Sequence, residues 1–235
     1  MSATPENPLY EYFLGNQGRL IHKWRHYFEI YHRHFQRFRG QSPVVAEIGV
    51  FGGGSLQMWH HYFGPGTRVV GIDVDPRCKR FEDESTTILI GDQADPVFLA
   101  EVRRQVPRID ILIDDGGHLM HQQIMTLQEL YLHIQPNGVY LCEDMHTSLF
   151  PSYAGGYRRR GTFLEYSKGL VDNLYAWYSA EQDQLAVNVF TLSTFALHFY
   201  DSVLVIEKRP IDPPEEVTSG DSSPDFVASA QLKPG

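Results

Sequence analysis

The sequence predicts an α/β protein built on a doubly wound, mostly parallel seven-stranded sheet with an antiparallel edge strand, preceded by an N-terminal helical extension. Three observations predict it. Five short apolar runs alternate with helix-length segments between Val44 and Cys142, the rhythm of parallel strands joined by crossover helices. Two of those runs stop abruptly at acids, Ile109-Asp110-Ile111-Leu112-Ile113-Asp114-Asp115 and Gly138-Val139-Tyr140-Leu141-Cys142-Glu143-Asp144. The first run turns into its helix through a glycine-rich loop, where such sheets bind ligands.

The elements follow in order. Residues 1–17 carry early prolines and a glycine and read as a loosely docked arm. From Arg19 to Arg39 a helical stripe of Ile21, Trp24, Phe28, Tyr31, Phe35 and Phe38 faces a side bearing His22, His26, Arg33 and Arg37, with Gly40 as its C-cap. Core packing is the simpler role for the stripe; covering a cofactor or meeting another subunit is the alternative. Val44–Ile48 is the first strand and Ser55–Phe63 a helix broken by Gly64-Pro65-Gly66. Arg68–Ile72 is the second strand, ending at Asp73, and Pro76 opens another helix. Thr87–Ile90 is the third strand, followed by a helix over Pro96–Gln105. The fourth strand ends at Asp114, Leu119–Ile134 is helical, and Pro136-Asn137-Gly138 turns into the fifth strand. A helix from Thr162 toward Gln182 precedes two closing strands, Val187–Thr191 and Ser202–Glu207. The chain divides into an arm and helix over 1–40, a main domain over 41–209 and a tail over 210–235, whose Pro, Ser, Glu and Asp give it little to pack.

Composition narrows the function. With 235 residues, 42% hydrophobic and 21% charged, the chain has the make-up of a globular domain. A net charge of −9 argues against nucleic acid or an anionic membrane as partner. Two cysteines, Cys78 and Cys142, outside any C-x-x-C pair, point to a reduced, cytoplasmic setting. No signal peptide is read at Met1–Leu9, nor any apolar stretch of bilayer length.

The loop Glu47-Ile48-Gly49-Val50-Phe51-Gly52-Gly53-Gly54-Ser55 has the spacing G-x-x-G-G-G, not the G-x-G-x-x-G of dinucleotide sites. Glu47 sets a carboxylate near the turn, which repels phosphate and attracts an ammonium or sulfonium. S-adenosylmethionine has both groups and no phosphate. Asp73, at the tip of the second strand, suits ribose hydroxyls, and Asp92 with Gln93 suits an adenine edge. Turn and cap duty is the plainer role for Asp73, Asp75 and Asp92 taken singly. Asp115, Glu143 and Asp144 can converge on one hard cation, which prefers oxygen ligands, with His118 as a base beside it. Asp114 is read as a cap or loop-orienting group.

The blocks E-I-G-V-F-G-G-G-S, G-I-D-V-D-P, G-D-Q-A-D, D-D-G-G-H and C-E-D-M-H-T-S resemble class I, metal-dependent S-adenosylmethionine O-methyltransferases. The similar subgroup is the macrolide and aminocoumarin sugar O-methyltransferases of macrocin, mycinamicin and noviose type, with cephamycin-cluster relatives. The resemblance covers Val44 to Ser148, more weakly through Tyr178, and its fold is Rossmann-like. It implies Asp115, Glu143 and Asp144 as ligands of Mg, or of another divalent cation such as Mn, and His118 as general base. It implies cofactor contacts from Glu47, Gly49, Asp73 and Asp92; Phe51, Gly52, Gly53, Ser55, Gln93 and Asp115 complete that candidate set. The expected acceptor is a glycosylated or polyhydroxylated small molecule, and the expected assembly a homo-oligomer. A catechol-like phenolic acceptor and a non-catalytic nucleoside-binding accessory protein are the competing readings.

His121 is an alternative base, and His146 a contact behind the metal or on the acceptor. The segment Phe150–Gly161, with Arg158-Arg159-Arg160, reads equally as a lid over the acceptor or as a solvated loop.

Overall fold

The protein is described from a computed structural model, over residues 7–220. Seven strands form one sheet in the order β3-β2-β1-β4-β5-β7-β6: β1 (Val44–Ile48), β2 (Arg68–Asp73), β3 (Thr86–Ile90), β4 (Ile109–Asp114), β5 (Ile134–Cys142), β6 (Thr194–Tyr200) and β7 (Val203–Lys208). The first five run parallel, while β7 pairs antiparallel with both β5 and β6. The helices are α1 (Pro8–Leu14), α2 (Tyr27–Phe35), α3 (Gly54–Phe63), α4 (Pro96–Gln105), α5 (Met120–Leu130) and α6 (Phe163–Leu174).

Alternation along each strand splits the core into two layers. Val45, Val69, Ile111, Ile113, Val139 and Leu141 face α1, α2 and α3. Their neighbours Ala46, Val70, Leu112, Tyr140 and Cys142 face α4, α5 and α6. The chain leaves β1 toward β2 and β3, then returns to place β4 on the other side of β1. This reversal opens a crevice at the carboxyl ends of β1 and β4, where ligands of such sheets bind. Hydrogen bonds extend past the strand ends there: Gly49 N–H to Ile72 O, Asp115 N–H to Ile48 O and Glu143 N–H to Asp114 O. The acidic tips are thus tied to the sheet.

Four expectations are corrected. Part of the loosely docked arm is helix α1, capped by the Asn7 side chain, which accepts from Leu9 and Tyr10 N–H and donates to Phe28 O. Leu9 is fully buried. Leu9→Ala is therefore expected to cost about 2–5 kcal/mol in urea unfolding; a negligible change would show that the arm is not docked.

The helix expected over Arg19–Arg39 begins only at Tyr27. Residues 16–26 instead form an irregular strap over the glycine loop, held by Arg19 N–H on Gln57 Oε1 and by the Asn16 side chain. These contacts override local periodicity. Phe28, Tyr31 and Phe35 are buried as expected, but Trp24, on the strap, is 57% exposed.

The segment Val187–Thr191 is a turn rather than a strand, because Asn188 Oδ1 accepts from Phe190 and Thr191 N–H. Pro136-Asn137-Gly138 lies inside β5 as an irregularity, where pairing with β4 shifts register and Asn137 takes φ 67°. Of the tail, 210–220 has no helix or strand, and 221–235 lies outside the described residues.

Candidate active site

Two cavities meet at the β1/β4 crevice. One, of about 520 Å³, is bordered by Gly49, Phe51 and Gly52 of the glycine loop, Asp73 and Asp75 beyond β2, and Gln93 beyond β3. The other, of about 470 Å³, is bordered by the strap and by Asp115, His118, Glu143 and Asp144. Gly49, Phe51, Asp115 and Gly116 border both.

Glycine is required where the loops converge. Gly49 has φ 95°, and a Cβ there would lie 1.9 Å from Asp115 O, inside any allowed contact. A Cβ on Gly54 would strike the carbonyls of Arg19 and Leu20 at 2.5 Å and 2.3 Å, beneath the strap.

The cofactor candidates separate by position. Asp73 borders the larger cavity; its Oδ2 accepts from Val50 and Phe51 N–H, and its Oδ1 from Asp75 N–H. The carboxylate thus shapes the glycine loop from the end of β2. Gln93 also borders the cavity, yet its amide is committed internally, donating to Asp114 and Thr126 and accepting from Gly117 N–H. Gln93 thus meets the cavity with its amide already bonded within the protein. Asp92 borders neither cavity and accepts from Ala94 N–H in a turn. Glu47, Gly53 and Ser55 also border neither. Glu47 is fully buried, takes a 2.6 Å hydrogen bond from Ser55, and has its pKa raised by burial against the pull of Lys23. Glu47 is thus turned toward Ser55 and Lys23 and lies behind the two cavities.

The acidic cluster converges, with one unexpected member. Lys23, on the strap, sets Nζ 2.5 Å from Asp115 Oδ2, 2.9 Å from Glu143 Oε1 and 3.6 Å from Glu47 Oε1. Burial works against its charge, but Asp115, Glu143 and Glu47 hold its pKa well above the ordinary value. Tyr31 donates to Glu143 Oε1 and Tyr27 to Asp144 Oδ1, each at 2.6 Å. One ammonium does not balance its acids. Burial and Asp115 push the Glu143 carboxyl up to about 8, against Lys23 and Tyr31.

Asp115, His118 and Asp144 bring ligand atoms within 4.8 Å of one another. His118 Nε2 is 3.4 Å from Asp144 Oδ2 and 3.8 Å from Asp115 Oδ1. Both His118 and Asp144 occupy left-handed backbone, φ 55° and 54°, a costly conformation that concentrates at functional sites. The fit to a hard cation rests on Asp144 and on Asp115 Oδ1, since Lys23 already holds Asp115 Oδ2. Glu143 is engaged by Lys23, the cation already seated in the cluster.

Asp114 is buried between Gln93 and Tyr140, a loop-orienting position. His146 bonds Ser202 Oγ and lies 4.0 Å from Asp144. His121 is exposed on α5. Arg158, Arg159 and Arg160 are exposed and border neither cavity.

Sequence reasoning missed Lys23, Tyr27 and Tyr31 as members of the cluster. The available signal was the tyrosines, since a buried hydroxyl requires a partner that phenylalanine does not.

The sheet order and the crevice match the Rossmann-like fold of a solved methyltransferase. In sequence the chain is similar to sugar O-methyltransferases of macrolide and tetracenomycin pathways. Demethylmacrocin O-methyltransferase of Streptomyces fradiae is 33% identical over 218 residues, 88% of this chain and 54% of that protein. The 8-demethyl-8-alpha-L-rhamnosyl tetracenomycin-C 2'-O-methyltransferase of Streptomyces olivaceus is 34% identical, over 78% of this chain and 50% of its own length. The MycE methyltransferase of the mycinamycin biosynthetic pathway, solved in complex with Mg and SAH, superposes with a TM-score of 0.78 at 28% identity. That match covers 96% of this chain and 59% of MycE. The SAH-bound methyltransferase PaMTH1 of Podospora anserina, at 14% identity and a TM-score of 0.53 over 88% of this chain and 89% of its own, shares the fold alone. No family model matches the chain. It spans about half the length of the curated relatives it matches.

Proposed function

We propose that this chain is a magnesium-dependent O-methyltransferase that moves a methyl group from S-adenosylmethionine to a sugar hydroxyl of a natural product or polysaccharide. The observation that carries this reading is the pair of adjoining cavities sharing Gly49, Phe51, Asp115 and Gly116. A nucleoside cavity beside an acid-lined cavity is what transfer between two bound molecules requires. Relatives named as sugar O-methyltransferases favour a sugar over a phenol as acceptor.

In this reading Asp73 and the glycine loop hold the nucleoside, while Asp115 and Asp144 hold the cation. Glu143 joins them when Lys23 withdraws. When bound, S-adenosylmethionine supplies an activated methyl group and the cation lowers the pKa of the acceptor hydroxyl. His118 Nε2, which faces Asp115 and Asp144, takes the hydroxyl proton, and the two carboxylates stabilise the imidazolium that results. The strap, with Trp24 beside the acids, excludes water from the acceptor side.

The proposed transferase domain runs over 41–209, preceded by the arm and helix over 1–40, of which Leu20 and residues 22–25 border the site. Among the described residues no helix is long and apolar enough to cross a membrane. We also propose a cytoplasmic setting and a homo-oligomer, the latter checked by light scattering.

Calorimetric titration tests the site. S-adenosylhomocysteine is expected to bind the wild type and to lose about tenfold or more in affinity in Asp73→Ala, which removes a charge-assisted partner. Magnesium is expected to bind the wild type and not Asp115→Ala. No nucleoside binding would overturn the transferase reading; nucleoside binding with no metal binding would remove magnesium from it.

A further inference from the structure

A second cluster of metal-binding side chains lies at the C-terminal end of α2. His34 sits in the last turn of that helix with its ring buried. Its Nδ1 is 2.7 Å from Glu207 Oε1, and its Nε2 is 2.9 Å from the Tyr200 hydroxyl. The His198 ring lies beside it, centroids 4.7 Å apart, with Nε2 3.7 Å from the same Glu207 oxygen. In the antiparallel β6–β7 pair His198 stands opposite Val205, and Ala196 opposite Glu207. His198 and Glu207 are therefore diagonal neighbours on one face of the hairpin.

Hydrogen bonding alone leaves this cluster incomplete. Glu207 Oε1 accepts from one imidazole, while His198 Nε2 is buried with no partner, a costly state for a ring nitrogen. The ligand atoms of His34, His198 and Glu207 all lie within 4.8 Å of one another. A tetrahedral ion with bonds of about 2.0–2.2 Å separates its donor atoms by roughly 3.3 Å. The distances from Glu207 Oε1, 2.7 Å and 3.7 Å, bracket that value.

We propose that His34 Nδ1, His198 Nε2 and Glu207 Oε1 form a binding site for a zinc-type divalent cation, joining α2 to the β6–β7 hairpin. Burial keeps the His34 pKa below its ordinary value, so the ring is neutral and has a lone pair to give. With Nδ1 on the metal, the ring proton resides on Nε2 and is donated to the Tyr200 oxygen, fixing tautomer and ring orientation. The side chains of His198 and Glu207 are partly exposed, so an ion would enter from that side of the hairpin. Two imidazoles and one carboxylate favour zinc, cobalt or nickel. Magnesium, which takes oxygen ligands, is directed to the carboxylates at the crevice. Helix α2 also carries Tyr27 and Tyr31, so an ion at its end fixes the element that holds Asp144 and Glu143.

The test is calorimetric titration of zinc into the full chain in excess magnesium, repeated with cobalt and followed by visible absorption. One equivalent is expected in the wild type and in Asp115→Asn, with the intense bands of tetrahedral cobalt. His198→Ala and Glu207→Gln should each weaken binding by about 100-fold or more, since even an outer-shell partner contributes about 10- to 100-fold. Glu207→Gln preserves side-chain shape and so separates ligand loss from misfolding. Zinc binding unchanged in Glu207→Gln and His198→Ala would overturn the proposal, as would no saturable binding to the wild type or an equivalent lost in Asp115→Asn.

Discussion

Replacing Lys23 with methionine is expected to lower the stability of the metal-free protein by about 3–5 kcal/mol, the cost of breaking a buried ion pair from one side. The substitution strands Glu47, Glu143 and Asp115, whose negative charge the ammonium offsets. Glu143, already held up to about 8 by burial and Asp115, would be driven further toward its neutral form. Magnesium can supply the missing positive charge, so it should raise the unfolding midpoint of Lys23→Met more than that of the wild type. Urea unfolding of both proteins with a chelator and with magnesium measures this directly. Equal responses of the two proteins to magnesium would show that lysine and metal do not share the carboxylates.

The second large effect is on rate. His118→Ala should slow methyl transfer by about 10²–10⁴-fold, the usual contribution of a positioned base, with affinity for S-adenosylhomocysteine unchanged. Binding of Mn, followed by its electron paramagnetic resonance, decides what His118 does. Unaltered Mn binding in a slow variant identifies a base. Loss of Mn binding together with rate would make His118 a ligand, which its place among Asp115 and Asp144 permits geometrically.

The sheet was largely legible in the sequence because each parallel strand is buried on both faces and reads as an apolar run. The helix α4 falls on its expected residues, marked by Asp95 as cap and Pro96 at the first position. The acids also announced themselves, since a carboxylate ending an apolar run must lie at the sheet's mouth. What sequence patterning did not reveal was how residues 7–40 lie on the domain. The strap is set by distant partners, Gln57 for Arg19 and Asp115 for Lys23, and local spacing contains no trace of them. The partners of Glu47 and Gln93 were hidden for a related reason. Each stands next to the cavity in sequence, but the sheet turns Glu47 toward Ser55 and Lys23, and Gln93 toward Asp114 and Thr126.

The strap couples the two chambers. Leu20 borders the larger cavity, and His22, Lys23 and Trp24 border the smaller one. A single short peptide is thus a wall of both chambers. Whatever displaces it on one side reshapes the exit on the other, and thermodynamic linkage makes that influence equal in both directions. In the proposed function, the affinity of each chamber for its ligand then depends on occupancy of the other, through residues 20–24 rather than through either cavity floor.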